Sequence, residues 1–174
     1  MKGSPQTAAA EQGDCNFEVD ECGWSNVEQP IDDIDWSRSP AENDRQQPFT
    51  DHTTSTSKGH VMSPARSLVQ RPGDGAWLIS RLFNVTAGNR NVGNRCLTFW
   101  YFMNEPIIDP AGPGLGLLAV YIRPEAGAGA DAEPQPQPVA IWRLQNHQAE
   151  MWMMARASIQ TAMNYRVKLN SMIN

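Results

Sequence analysis

The sequence predicts an all-β sandwich, and three observations point to this fold class. Short segments rich in β-branched and aromatic residues recur through the second half of the 174-residue chain, separated by turn-forming residues. Their spacing is that of sandwich strands. One of them, residues 164–173, alternates apolar and polar side chains, which is the strand period. No segment shows a sustained helical period with caps at its ends.

The predicted strands follow one another from residue 75 to the end of the chain. They are GAWLISRLF (75–83), CLTFWYFMN (96–104), LGLLAVYIRP (115–124), VAIWRLQ (139–145), EMWMMARASI (150–159) and NYRVKLNSMI (164–173). In the second of these, both alternating sets of positions carry large apolar side chains, so we expect a strand buried on both faces. The segment 150–163 is ambiguous, because Met and Ala also suit a helix.

The segments between the strands are rich in turn-forming residues. Residues 105–114 form a turn-rich connection, and residues 1–14 are expected to be a flexible lead to a domain covering 15–174. Residues 124–138, PEAGAGADAEPQPQP, are of low complexity and cannot pack a core. We expect them to be a disordered loop at the tip of a long hairpin, because they lack the apolar area that offsets the entropy of ordering.

Composition excludes several classes of protein. The net charge of −5 and the absence of any Lys/Arg run argue against a nucleic-acid partner, which requires a clustered basic face. No apolar stretch approaches the roughly 20 residues of a membrane span, so this segment is not expected to insert into a membrane. The chain contains no nucleophile elbow, phosphate-binding loop or HExxH motif. We therefore expect no catalytic residues and no enzymatic activity.

Two early cysteines, Cys15 and Cys22, lie seven residues apart. A structural zinc site usually pairs CxxC knuckles, and a redox dithiol also uses CxxC spacing, so neither is favoured. A disulfide closing this short loop fits better, and two free buried thiols in an intracellular protein are the alternative. Cys96 opens the strand at 96–104, and it is either a free core thiol or half of a bridge whose partner is missing here.

Carboxylates near the two early cysteines in the sequence could be ligands for a hard cation. Calcium takes six to eight oxygen ligands, and Glu18, Asp20 and Asp51 could supply some of them if the fold brings two loops together. Exposed carboxylates in turns are the alternative. Asn84 begins the triplet Asn-Val-Thr, an acceptor sequence for N-glycosylation.

Several ordered and widely separated segments resemble the MAM domain, named from meprin, neuropilin-type receptors and the receptor tyrosine phosphatase mu. The similar segments are CNFE (15–18), CGW (22–24), DIDWSR (33–38), PFTDHTTSTSKGHVM (48–62), CLTFWYFMN (96–104) and LLAVYI (117–122), followed by Trp142 and Trp152. Val61 stands where an aromatic residue is usual in the family. Each segment alone is a weak signal, but their order and spacing together are specific.

The resemblance implies a jelly-roll β-sandwich of two antiparallel sheets. It implies a disulfide between Cys15 and Cys22, and a bridge from Cys96 to a cysteine expected beyond residue 174, together with a closing strand. It also implies a structural Ca²⁺ ion near Glu18, Asp20 and Asp51. The domain would be extracellular, within a membrane-anchored or secreted protein.

The function that the resemblance implies is a non-catalytic adhesion or recognition module. It would bind protein partners at the cell surface, including a second copy of itself. One alternative is an accessory domain of a membrane-anchored protease or receptor phosphatase. The other is a carbohydrate-binding jelly roll, which exposed tryptophans on a concave face favour. Burial of Trp24, Trp36, Trp100 and Trp142 would count against that second alternative.

Overall fold

The computed structural model describes residues 13–28, 31–43, 49–65, 71, 73–85, 95–103, 116–125, 136–146 and 148–172. Within these ranges the chain forms β-strands and one short 3-10 turn, Ala41–Asn43, and no α-helix. The strands are β1 (Ser25–Asn26), β2 (Trp36–Pro40), β3 (His60–Pro64), β4 (Gly75–Ile79), β5 (Arg95–Tyr101), β6 (Leu117–Pro124), β7 (Val139–Gln145), β8 (Met153–Ile159) and β9 (Tyr165–Met172). No helix in these ranges is long and apolar enough to span a bilayer.

The strands form one five-stranded sheet and two strand pairs, all antiparallel. The large sheet has the order β1-β4-β9-β6-β7, and the pairs are β2–β3 and β5–β8. The last strand, β9, lies at the centre of the large sheet between β4 and β6, so strands far apart in sequence are neighbours. This confirms the predicted all-β class and the jelly-roll β-sandwich architecture.

The hydrophobic core lies between the large sheet and the β5–β8 pair. Its fully buried cluster comprises Val120, Ile122, Ile159, Tyr165 and Val167. Phe99 of β5 contacts Trp142 of β7 edge to face, with ring centroids 5.0 Å apart, and this contact joins the two layers. Burying a large apolar side chain stabilises the fold by about 1.5–3 kcal/mol, so this cluster holds the layers together.

The predicted long hairpin is confirmed. Strands β6 and β7 pair directly, with a register shift between Val120 and Tyr121 that marks a bulge. The ambiguous segment 150–163 contains a strand over Met153–Ile159, where exposed and buried side chains alternate. Its small buried residues Ala155 and Ala157 lie opposite Phe99 and Leu97 of β5, so the alanines make room for larger side chains.

The prediction that the strand at 96–104 is buried on both faces is wrong. Leu97 and Phe99 pack towards the core, whereas Cys96, Thr98 and Trp100 are exposed. In the described part of the chain no second sheet packs on this outer face of the β5–β8 pair. The sequence shows apolar residues at both sets of positions, but only one set has a layer to pack against.

Three strands were not predicted from the sequence. Strand β1 has two residues, and β2 and β3, with the sequences WSRSP and HVMSP, both end in Ser-Pro. Neither β2 nor β3 shows the apolar alternation that marks a half-buried strand. Their pairing, from Trp36 opposite Pro64 to Pro40 opposite His60, is set by tertiary contacts instead. Residues 1–12, 104–115 and 126–135, which include most of the predicted lead and loops, lie outside the described residues.

Candidate functional site

A short disulfide-closed loop opens the domain. Cys15 and Cys22 form a disulfide with their Cα atoms 5.8 Å apart, as predicted. In the chain-entropy model, closing so short a loop stabilises by about 2.5 kcal/mol. Inside the loop, Asp20 Oδ1 accepts a hydrogen bond of 2.7 Å from the Cys22 amide. Phe17 and Cys22 have positive φ angles of 61° and 52°, so the backbone turns back sharply on itself.

Strands β2 and β3 hold this loop in place. Arg38 of β2 donates from Nε to the Phe17 carbonyl at 2.5 Å and from Nη2 to the Glu18 carbonyl at 2.6 Å. The Glu18 carboxylate accepts a hydrogen bond from the His60 amide of β3, at 3.2 Å to Oε1. Charge-assisted bonds of this kind are stronger than neutral ones. The loop is therefore anchored to the β2–β3 pair, and Glu18 takes part in that anchoring.

The loop after residue 50 is organised by one buried carboxylate. Asp51 is only 2% exposed. Its Oδ2 accepts a hydrogen bond from the Thr54 amide at 2.6 Å, and its Oδ1 accepts from Thr54 Oγ1 at 2.6 Å and from the Thr56 amide at 3.1 Å. Burial alone would raise the pKa of Asp51, but these hydrogen bonds outweigh it and lower the pKa from 3.8 to about 2. Asp51 is therefore hydrogen-bonded within its own loop.

A group of aromatic and methionine side chains lies on the outer face of the β5–β8 pair. We name it the aromatic patch, and it comprises His52, Trp100, Phe102, Trp152 and Met154. Trp100 is 44% exposed and Met154, its cross-strand partner, is 46% exposed. His52 stacks on Trp100 with ring centroids 3.8 Å apart, and Trp152 contacts Phe102 at 5.7 Å. The patch thus combines exposed apolar area with aromatic side chains held against one another.

The aromatic patch is fixed to the rigid part of the fold. Trp152, the residue before β8, donates a hydrogen bond of 2.9 Å from Nε1 to the Thr50 carbonyl, which joins the start of β8 to the loop that carries His52. Further along the same face, the cross-strand pairs are polar: Thr98 with Arg156, and Cys96 with Ser158. The apolar surface is therefore confined to one end of the strand pair. Sequence reasoning missed the patch, although Trp100 and Phe102 alternate in the chain on the face that is now seen to be outward.

The comparison with known families decides what kind of domain carries these features. The family model described as "MAM domain, meprin/A5/mu" matches residues 15–174. The chain belongs to the MAM family. Domains of this family are generally extracellular, non-catalytic modules, and the disulfide between Cys15 and Cys22 is consistent with that location.

Two solved structures that are similar to this MAM domain are adhesin domains of Lys-gingipain. The K1 cleaved adhesin domain of Lys-gingipain from Porphyromonas gingivalis W83 is similar with a TM-score of 0.55 at 13% identity, covering 91% of this chain and 88% of that one. The K2 cleaved adhesin domain of Lys-gingipain is similar with a TM-score of 0.50 at 14% identity, covering 87% and 88%. At such low identity the likeness shows the β-sandwich fold alone.

The cation ligands that the resemblance predicts are not assembled in this MAM domain. Asp20 binds the Cys22 amide, Glu18 binds the His60 amide, and Asp51 is hydrogen-bonded within its own loop. No group of three or more His, Cys, Asp or Glu side chains placed to hold a metal occurs among the described residues. Calcium binding would require these carboxylates to exchange their present hydrogen bonds for metal contacts.

Calcium binding at Glu18, Asp20 and Asp51 therefore stays a prediction, and thermal melting checks it. A ligand that binds only the folded domain raises its melting temperature by mass action. If these residues bind calcium, millimolar calcium should raise the midpoint, and Asp51→Asn should abolish the rise. An unchanged midpoint in the parent domain would contradict the prediction.

Two further predicted positions of the MAM domain are accessible. Cys96 is an exposed free thiol on the outer face of β5. Asn84 is exposed and follows Phe83, which bridges to Tyr165 at the end of the large sheet. The threonine of the Asn84 triplet lies outside the described residues. Glycosylation at Asn84, and a bridge from Cys96 to a later cysteine, remain predictions.

Proposed function

We propose that this MAM domain is a non-catalytic module that recognises a protein partner outside the cell, through the aromatic patch. The observation that carries the proposal is the partial exposure of Trp100 and Met154 side by side on two paired strands. Tryptophan and methionine are enriched at the centres of protein interfaces, where they supply large contact area. The domain would belong to a membrane-anchored or secreted protein.

The geometry of the patch favours a protein partner over a glycan. His52 covers one face of the Trp100 indole, with an interplanar angle of 20°, so a ligand can stack only on the other face. Trp24, Trp36 and Trp142 are each half-buried, so they offer little area to a ligand. Methionine beside Trp100 instead gives an adaptable apolar contact that suits a protein surface.

Binding of the domain to cells tests this function. Beads coated with the purified domain should adhere to cells that present the partner, and Trp100→Ser should reduce the adhesion at least about tenfold, as expected for a central interface residue. The matched control is Val139→Ser, because Val139 is 60% exposed but lies on β7, outside the patch. Aggregation of coated beads with one another measures self-association in the same assay.

Two outcomes would contradict the proposal. Adhesion that Trp100→Ser and Val139→Ser reduce equally would remove the patch as the binding surface. Adhesion that survives protease treatment of the cells but is lost after glycosidase treatment would replace the protein partner by a carbohydrate. Thermal melting of each variant confirms that the fold is retained.

A further inference from the structure

A second surface, unconnected with the aromatic patch, lies on the face of the five-stranded sheet that is turned away from the core. Val120 and Ile122 of β6 and Val167 of β9 point into the core. Because side chains alternate along a strand, the residues between them point to the opposite face. The register places Arg123 beside Arg166 and Tyr121 beside Lys168 on that face.

Strand β7 adds a fourth basic residue to this face. Arg143 lies opposite Ala119 of β6, which belongs to the same alternating set as Tyr121 and Arg123. Arg143 is exposed, and no ion pair to it occurs among the described residues. Three adjacent strands therefore present basic side chains to one side, in a chain whose net charge is −5. We name these four residues the basic face: Arg123, Arg143 and Arg166, whose side chains reach solvent, and Lys168, which is only 8% exposed and lies against the Trp77 ring.

Two arginines of the basic face converge on one carboxylate oxygen. Glu125 Oε1 lies 2.5 Å from Arg123 Nη2 and 3.2 Å from Arg166 Nε. The arginine side chains remain 36% and 33% exposed. A single negative charge thus faces two guanidinium groups, so a net positive charge remains. The arrangement shows that the two guanidinium groups can bind one oxyanion between them.

Aromatic rings lie between the basic side chains. The Lys168 ammonium is 4.1 Å from the centroid of the Trp77 ring, and Trp77 contacts Tyr121 at 5.3 Å. Tyr121 lies on β6 between Ala119, opposite Arg143, and Arg123. Along the strand, Ala119 and Arg123 are about 13 Å apart at about 3.3 Å per residue. A ligand that reaches both arginines must therefore carry several anionic groups on a backbone that can cross an aromatic ring.

We propose that the basic face binds a sulfated glycan, and that Glu125 competes with its sulfate groups for Arg123 and Arg166. Charge complementarity requires a polyanion. Sulfate esters present the oxygen geometry that guanidinium groups bind with two hydrogen bonds, and the apolar face of a sugar ring packs on Tyr121. An acidic polypeptide would more readily pair with a strand edge, whereas Arg123 and Arg166 project from β6 and β9, which lie inside the sheet.

Heparin is the probe that tests this inference. Isothermal titration at physiological salt should show binding that weakens as salt is raised. Arg143→Ala should lower the affinity at least about threefold, the scale of one exposed ion pair. Glu125→Gln should raise it, because the arginine pair loses its internal partner. The matched control is Arg156→Ala, which removes the same charge from an exposed position on β8, in the other layer.

Each remaining outcome overturns the inference. If Arg143→Ala and Arg156→Ala lower the heparin affinity equally, overall charge governs binding. Equal binding of desulfated heparin, or equally effective competition by polyglutamate, would remove the sulfated glycan as ligand, and the second result would assign the face to acidic polypeptides. No binding by either the parent domain or Glu125→Gln would reject the site. Because Trp100 lies on the other layer, none of these results bears on the protein-partner proposal.

Discussion

Gly59→Ala is expected to lower the free energy of unfolding by about 3 kcal/mol or more, the range of severe buried substitutions. A Cβ at position 59 would overlap with Oδ1 and Cγ of Asp51 and would lie 2.6 Å from Thr54 Oγ1. The carboxylate cannot move aside without losing its bonds to the Thr54 and Thr56 amides. Chemical denaturation of the purified variant measures the loss.

Two further variants make this prediction specific to the contact with Asp51. Gly75→Ala adds the same methyl group in β4, where the nearest atom is Asn170 Oδ1 at 3.8 Å, an ordinary contact. It should cost much less than Gly59→Ala. In a double-mutant cycle, Asp51→Ala should remove most of the additional cost of Gly59→Ala, because the obstructing carboxylate is gone. Strictly additive effects would show that the strain lies elsewhere.

Asp51 should also make the domain lose stability in acid. Its pKa is lowered from 3.8 to about 2 in the folded domain, so the folded state favours the ionised form. The stabilisation is present above pH 4 and is lost as the pH falls towards 2, because the carboxylate is then protonated. A shift of this size corresponds to about 2 kcal/mol. Urea denaturation at several pH values should show this loss in the parent domain.

Variants of the same loop provide the control for the acid prediction. Asp51→Asn should remove the part of the pH dependence that falls between pH 4 and pH 2. Thr54→Val keeps the shape of the side chain but removes the hydroxyl that donates to Asp51 Oδ1, so it should leave a smaller loss in acid. Identical pH profiles for the parent domain and Asp51→Asn would contradict the assignment to this carboxylate.

The strands could be predicted where local pattern and burial agree. In β9, Tyr165 and Val167 face the core, as the alternation of the segment indicates. Lys168 and Asn170 were expected on the polar side, yet each is only 8% exposed. The Trp77 ring lies over the Lys168 ammonium. Burial lowers the pKa of Lys168, with nearby Arg123 adding to the effect while Asp32 opposes it. Alternation assigns a side chain to a face, but neighbouring strands decide how much of that face is covered.

The candidate surfaces could be predicted only in part. The bonding of Asp51 to Thr54 and Thr56 is local, so the residue types are sufficient to indicate it. Stacking of His52 on Trp100 brings together residues from a loop and a strand far apart in the chain. The convergence of Arg123 and Arg166 depends on β9 lying beside β6 in register. Neither contact leaves a signal in the local sequence, because both depend on the strand order of the folded sheet.

Arg38 holds the opening loop through hydrogen bonds to the main-chain carbonyls of Phe17 and Glu18, and not through their side chains. Every amino acid offers the same carbonyl, so this anchoring is indifferent to the identity of the residues at the loop's tip. Val19, which is 85% exposed, and the exposed Glu21 can therefore be randomised without loosening the attachment. The loop is a natural place to graft foreign epitopes or to build a display library on this scaffold.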